Sequence, residues 1–255
     1  MRFASLGSGS RGNALVVEAG STRILLDCGF GLGETTSRLG RLGLTPEDLS
    51  AVVVTHEHDD HIGGVARLAR RHSIPVWLTH GTLTGFEVLL AGIGNLHVID
   101  NYRSFAVGDL QVEPFPVPHD AREPAQYVFG DGSRRLGVLT DTGCSTRHIE
   151  AMLSGCDALV LECNHDPGML RASSYPQKLR ERIAGRYGHL DNGAAAELLA
   201  RLDTGRLKHL VAAHLSQENN RPELARTALA GAIGCDPGWV EVADQDNGLG
   251  WRAIS

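Results

Sequence analysis

The sequence predicts an α/β (α+β) fold of four layers, with two β-sheets packed face to face and helices on the outside. Three observations lead there. The 255 residues fall into two β-rich halves, each of which also carries helical segments. The strands are short and apolar, as in AVVV (51–54) and ALVL (158–161), and turn residues separate them. No fixed-period repeat, low-complexity tract or long linker interrupts the chain, so residues 1–255 read as a single domain.

MRFASL (1–6), ALVVEA (14–19) and TRILLDC (22–28) alternate with turns rich in Gly, Ser and Asn and form an opening meander. A helix over 33–42 leads past Pro46 to the strand AVVVT (51–55), and a loop then opens a helix over 61–71. PVWLT (75–79) is the next strand and 82–90 the next helix, with further strands up to LQVEPFPVPH (110–119). Pro114, Pro116, Pro118 and Pro124 stiffen this last region, because each fixes φ and removes a backbone donor. QYVFG (126–130) and RLGVLTD (135–141) flank Asp-Gly-Ser, which predicts a hairpin. The remainder reads as ALVLEC (158–163), helices over 176–188 and 193–202, HLVAAH (209–214), a helix over 222–230 and VEVAD (240–244).

Composition excludes several classes. The 30 acidic residues against 24 basic ones give a formal net charge of −6 with the 12 histidines neutral, which argues against a protein that coats DNA through a uniformly basic surface. Apolar runs fall far short of the roughly 18 residues of a membrane span, and MRFASLGSGS lacks the apolar block of a secretory signal. A soluble, cytoplasmic protein with no membrane partner is expected. Cys28, Cys144, Cys156, Cys163 and Cys235 form no C-x-x-C pair, so each is expected to be a small buried apolar residue.

The chemistry concentrates in histidine. Residues 56–61, His-Glu-His-Asp-Asp-His, follow AVVVT directly and spell H-x-H-x-D-H. Alternate residues of an extended segment face the same way, so His56 and His58 can grip one ion while Asp60 and His61 turn toward a second. Two ions need more ligands than one loop supplies. His119, Asp141 and His214 each end a predicted strand and complete the set. Neutral imidazole nitrogens with a carboxylate able to bridge suit Zn²⁺ or Mn²⁺, with positions left for water.

This order of ligands resembles the metallo-β-lactamase fold superfamily, an αββα sandwich with its metals at one edge of the two sheets. More narrowly, SLGSGSRGN (5–13), THEHDDHIGG (55–64), TDTG (140–143), ECNHD (162–166), YPQKLRERI (175–183), GHLDN (188–192) and HLSQENN (214–220) resemble the YycJ/WalJ group, bacterial proteins related to RNase Z and phosphodiesterases. The resemblance implies a dinuclear metal-dependent hydrolase, a phosphodiesterase acting as a 5′→3′ DNA exonuclease with a part in mismatch repair, and a nucleic acid, DNA before RNA, as its substrate. It also implies that His56, His58 and His119 hold one divalent ion, Zn or Mn, that Asp60, His61 and His214 hold the other, and that Asp141 bridges them. It does not extend to the β-CASP cap of RNase J-type nucleases, for which the chain has no room, nor to a separate arm like that of RNase Z.

Around such a centre, Asp60 would orient the attacking hydroxide, and His189 or His165 would protonate the departing 3′ oxygen, since neither is needed as a ligand. Five bases (Arg171, Lys178, Arg180, Arg182 and Arg186) lie near a single acid, Glu181. Lys178, Arg182 and Arg186 recur every four residues on the predicted helix, forming a cationic stripe suited to a phosphate backbone. Ser173, Ser174, Ser216, Asn219 and Asn220 offer neutral donors for a terminal phosphate. GSGSRGN (7–13) lacks the G-x-x-x-x-G-K-[ST] pattern and reads as a tight turn that buttresses the metal loop. The alternative function keeps the metals and changes the substrate to a cyclic or small phosphodiester, a thioester or a lactone. A non-catalytic metal-binding module is disfavoured because every ligand position is filled.

Overall fold

The computed structural model describes all 255 residues. The first half contributes strands β1 (Arg2–Gly7), β2 (Ala14–Ala19), β3 (Thr22–Leu26), β4 (Ala51–Val53), β5 (Val76–Thr79) and β6 (Leu96–Ile99), with helices α1 (Leu32–Arg41), α2 (Asp59–Ile62), α3 (Val65–His72) and α4 (His80–Leu90). The second contributes β7 (Phe105–Val107), β8 (Leu110–Pro116), β9 (Ala125–Gly130), β10 (Arg135–Leu139), β11 (Ala158–Glu162), β12 (His209–Ala213), β13 (Glu241–Val242) and β14 (Leu249–Ala253), with α5 (Arg147–Leu153), α6 (Pro167–Ala172), α7 (Gln177–Ile183), α8 (Asn192–Arg201) and α9 (Pro222–Ile233). They build two seven-stranded sheets, ordered β14-β1-β2-β3-β4-β5-β6 and β13-β12-β11-β10-β9-β8-β7. No helix is long and apolar enough to cross a membrane.

Strand alternation explains why the central strands are apolar on both faces. Ile24, Leu26 and Val53 point inward and meet Val112, Tyr127, Leu136, Val160 and Val211 of the other sheet. Their neighbours Leu25, Val52 and Val54 point outward against Leu39 and Leu68 of α1 and α3. On the second sheet Leu159, Leu161, Leu210 and Ala212 likewise face Ile149, Leu198 and Leu229 of α5, α8 and α9. Three apolar layers therefore separate four structural ones, as the sequence predicts, and each fully buried Leu, Ile or Val contributes about 1.5–3 kcal/mol.

The topology sends functional residues to one edge. β3 through β6 pair in parallel, as do β10 through β13. The carboxyl ends of parallel strands open into loops that lie together, which is where open α/β sheets bind ligands. Two hydrogen bonds tie the sheets at this edge: Tyr127 Oη donates to the Val54 carbonyl at 2.7 Å, and the Ala125 amide to the Thr55 carbonyl at 2.9 Å.

Most predicted elements fall within a few residues of the observed ones, and three differ for identifiable reasons. The helix over 61–71 is two pieces, α2 and α3, interrupted at Gly63 and Gly64. The Gly64 amide donates to the Cys28 carbonyl at 2.7 Å, and a Cβ there would strike the Phe30 carbonyl. The helix over 176–188 stops at Ile183, and the chain then folds back so closely that a Cβ at Gly188 would meet the carbonyls of Arg182 and Ile183. Arg186 lies beyond that helix, so the cationic stripe of Lys178, Arg182 and Arg186 does not form. VEVAD pairs with β12 only at Glu241 and Val242. Among the cysteines, Cys28, Cys156 and Cys163 are buried as expected, whereas Cys144 and Cys235 are only half-buried.

Gly64→Ala should lower stability by about 1–3 kcal/mol by forcing the Cys28 to Phe30 turn away from α3. Urea unfolding would show a reduced midpoint at unchanged slope. A midpoint equal to that of the natural chain would contradict the close approach.

Candidate metal centre

The end of β4 leads through Thr55 into His56, and the extended backbone at His58 starts α2, which carries Asp60 and His61. The proline-rich segment after β8 delivers His119, while Asp141 and His214 follow β10 and β12. Asp141 and His214 have φ of +49° and +54°, and Asp27, after β3, has +61°. Left-handed backbone at non-glycine residues costs on the order of 1–3 kcal/mol each and collects at functional sites. All three turn a strand end toward one point.

His56 Nε2 lies 3.0 Å from His58 Nδ1, and His119 Nε2 lies 3.2 Å from the same atom. A tetrahedral zinc bound at about 2.0–2.1 Å holds its ligands roughly 3.3 Å apart, so this spacing fits a shared cation. Beside this trio, Asp60 Oδ2 is 3.5 Å from both His61 Nε2 and His214 Nε2. His61 Nε2 is 3.0 Å from Asp141 Oδ2, and Asp141 Oδ1 is 4.0 Å from His119 Nε2. Asp141 thus reaches both groups. Its Oδ2 is buried and accepts no hydrogen bond, an arrangement that is unfavourable unless a cation takes the lone pairs.

Behind the cluster, a partner orients four of the five imidazoles, those of His56, His61, His119 and His214, through the other nitrogen. His61 Nδ1 is 2.8 Å from Asp27 Oδ2, and Asp27 also accepts from the Thr55 amide and hydroxyl. His56 Nδ1 lies 2.9 Å from Thr55 Oγ1. His119 Nδ1 donates to the Gly188 carbonyl at 3.0 Å. Glu162 Oε1 faces His214 Nδ1 at 3.1 Å and His189 Nδ1 at 2.8 Å, while Glu162 Oε2 accepts from the amides of Thr142 and Leu190. With Nδ1 protonated toward these acceptors, Nε2 of His56, His61, His119 and His214 presents a lone pair to the centre. The turn GSGSRGN does buttress the loop: Asn13 accepts from Ser8 and Gly9, and its Nδ2 donates to the Asp60 carbonyl at 3.3 Å.

The electrostatics match this arrangement. Burial acts to raise the Asp141 carboxyl, but the His214 and His61 imidazoles outweigh it and hold it well below the usual range. Asp60 is held low against burial by His61 and His214. Glu162 is lowered to about 2 against burial, chiefly by His189. Burial lowers His61, His214 and His189, yet the facing carboxylates more than reverse it: His61 lies well above its ordinary value, His214 at about 10, and His189 above it. His56 is pushed well down by burial and by the charge of His61, and His119 is pushed down by burial. Cation binding here therefore displaces protons.

All seven predicted ligands converge, in overlapping groups whose ligand atoms lie within 4.8 Å of one another. His189 joins them, with ring centroids 5.3 Å from those of both His119 and His214. His165 does not. It is buried, with Nδ1 beside Asn164 Oδ1, and faces a separate cavity. Arg182 pairs with Asp120 Oδ2 at 2.5 Å, and Asp120 Oδ1 lies 3.4 Å from His119 Nε2, so Arg182 stands at the rim; Lys178 is exposed one turn away on α7. Asn220 is no free donor: its amide pairs with the side chain of Asn192 and the Cys163 carbonyl. Ser216 Oγ accepts from the Asn219 amide in a local turn. Sequence reasoning missed Asp27 and Glu162, although each ends an apolar strand, as Asp141 does.

The family model described as "Beta-lactamase superfamily domain" matches residues 22–214. The exodeoxyribonuclease YycJ of Bacillus anthracis is 37% identical over 234 residues, covering 90% of this chain and 88% of that protein. The exodeoxyribonuclease WalJ of Streptococcus pneumoniae is 34% identical over 236 residues, covering 91% and 88%. Among solved structures, the metallo-β-lactamase fold protein YhfI from Bacillus subtilis superposes with a TM-score of 0.77 at 16% identity, over 99% of both chains, a likeness of fold. With its strand-end histidines, its paired sheets and these relatives, the chain belongs to the β-lactamase superfamily, in the family of the YycJ and WalJ proteins.

Proposed function

We propose that the protein is a metal-dependent phosphodiesterase that degrades DNA from its 5′ end. The observation that carries this reading is the convergence of seven ligand side chains on one sheet edge with the Glu162–His189 pair beside them. The names of its relatives at 34–37% identity, both exodeoxyribonucleases, favour DNA as the substrate.

His56, His58 and His119 would hold one divalent ion, and Asp60, His61 and His214 a second, with Asp141 within reach of both groups. Imidazole and carboxylate ligands suit Zn²⁺ or Mn²⁺. When bound, such ions polarise the phosphoryl group and make water acidic enough to react at neutral pH. Asp60, held ionised, accepts a hydrogen bond from the attacking water and orients it. Glu162 fixes His189 at Nδ1, so Nε2 carries the proton that the departing 3′ oxygen needs. The phosphorus–O3′ bond breaks, leaving a 3′-hydroxyl on the released nucleotide and a 5′-phosphate on the shortened strand. Arg182 and Lys178, at the rim, meet the phosphate backbone.

Metal-loaded protein offered 5′-phosphorylated duplex DNA, the matching RNA, bis-p-nitrophenyl phosphate, a thioester and a lactone should release mononucleotides from the DNA and leave the thioester and lactone intact. Cleavage of either of those with DNA untouched would overturn the assignment. His189→Ala should reduce kcat by about 10²–10⁴-fold with bound metal unchanged, and loss of metal would make His189 a ligand instead. Glu162→Ala removes the acceptor of two imidazoles and two amides at once, so the metal-free protein should lose at least about 3 kcal/mol in denaturant unfolding. A loss below about 1 kcal/mol would show that these contacts do not hold the edge together.

A further inference from the structure

Beside the metal centre, the two short helices α6 and α7 border a cavity of about 520 Å³. Its position follows from the chain. Glu162 ends β11, and the next residues lead directly into the cavity wall: Asn164 Nδ2 donates to the His214 carbonyl at 3.0 Å, and His165 bridges to Asp191, two residues beyond His189. His165 and Leu170, both buried, form the floor, with Pro167 giving a further apolar surface.

The polar lining is unevenly satisfied. Each of its two acids gives one oxygen to a neutral donor: Glu181 Oε1 accepts from Gln177 Nε2 at 2.7 Å, and Asp191 Oδ1 caps α8 by accepting from the Ala194 amide at 2.9 Å. Its two guanidinium groups keep most of their donors open. Arg180 spends one donor on the Arg171 carbonyl at 2.6 Å, neither Arg171 nor Arg180 pairs with a carboxylate, and both line the cavity. Guanidinium forks left with open donors over an apolar floor are the chemistry that recognises a phosphate attached to an apolar body. The volume lies within the roughly 300–1,000 Å³ of small-ligand sites, enough for one nucleotide.

We propose that this cavity seats the terminal nucleotide of the strand being degraded, with its 5′-phosphate held between Arg171 and Arg180 and its sugar and base against Leu170 and Pro167. The inference rests on the reading of the protein as a DNA exonuclease. With one nucleotide seated there, the next phosphodiester lies toward the metal centre, and the strand shortens by single residues. His165 then acts as part of the floor that receives the nucleotide.

The test compares the metal-loaded natural protein with the Arg171→Gln/Arg180→Gln variant, with metal content and melting temperature verifying that both are folded. The natural protein should degrade a 5′-phosphorylated duplex at least about tenfold faster than the same duplex with a 5′-hydroxyl, the worth of one charge-assisted hydrogen bond, and the variant should bring that ratio toward one. By calorimetry the variant should also bind a deoxynucleoside 5′-monophosphate at least about tenfold more weakly. A ratio retained in the variant together with unweakened binding overturns the proposal, as does a natural protein indifferent to the 5′-phosphate. If the natural protein leaves DNA untouched, the exonuclease reading falls separately and the titration alone decides: weakened binding keeps the cavity as a nucleotide site, and equal binding removes it.

Discussion

Asp141 sits where the two sheets meet, and the convergence of charge around its carboxylate is the constraint that organises this edge of the molecule. It is 2% exposed, one oxygen accepts no hydrogen bond, and imidazoles of His61, His214 and His189 stand within 3.5 Å. Removing an ionised carboxylate from water is tolerable only when opposite charge is fixed close by. That requirement reaches outward through Asp27, Thr55, the Gly188 carbonyl and Glu162, each of which fixes the ring that faces the centre. The centre is therefore preorganised, with little left to rearrange when a cation enters.

The sandwich makes such a cluster possible. β3, β4, β10, β11 and β12 each lead into a residue of the cluster or of its supports. Because β3 and β4 run parallel in one sheet and β10 to β12 in the other, five strand ends open at one edge. The Tyr127 and Ala125 hydrogen bonds to the backbone of residues 54 and 55 keep the sheets from sliding there. Strain is concentrated at the same place, in the left-handed backbones of Asp27, Asp141 and His214.

Much of this was legible in the sequence. Apolar runs such as 51–54 and 158–161 announce strands covered on both faces, and His119, Asp141 and His214 are legible as ligands because each interrupts an apolar run where a strand must end. Asp27 and Glu162 were not, since one acid at the end of a strand looks locally the same whether it faces solvent or backs an imidazole. Only tertiary placement distinguishes them. The helix over 176–188 illustrates the opposite failure: helical spacing of Lys178, Arg182 and Arg186 continues past Ile183, where the helix ends and the chain turns toward Gly188, whose carbonyl accepts from His119. The need to seat one imidazole outweighed local propensity.

The most direct measurement is the metal content of the natural protein and of Asp141→Ala, determined by elemental analysis after equilibration with Zn²⁺ or Mn²⁺. A carboxylate shared by two sites predicts two ions per chain in the natural protein and at most one in the variant. Two ions in both, or none in the natural protein, would contradict a dinuclear centre built around Asp141.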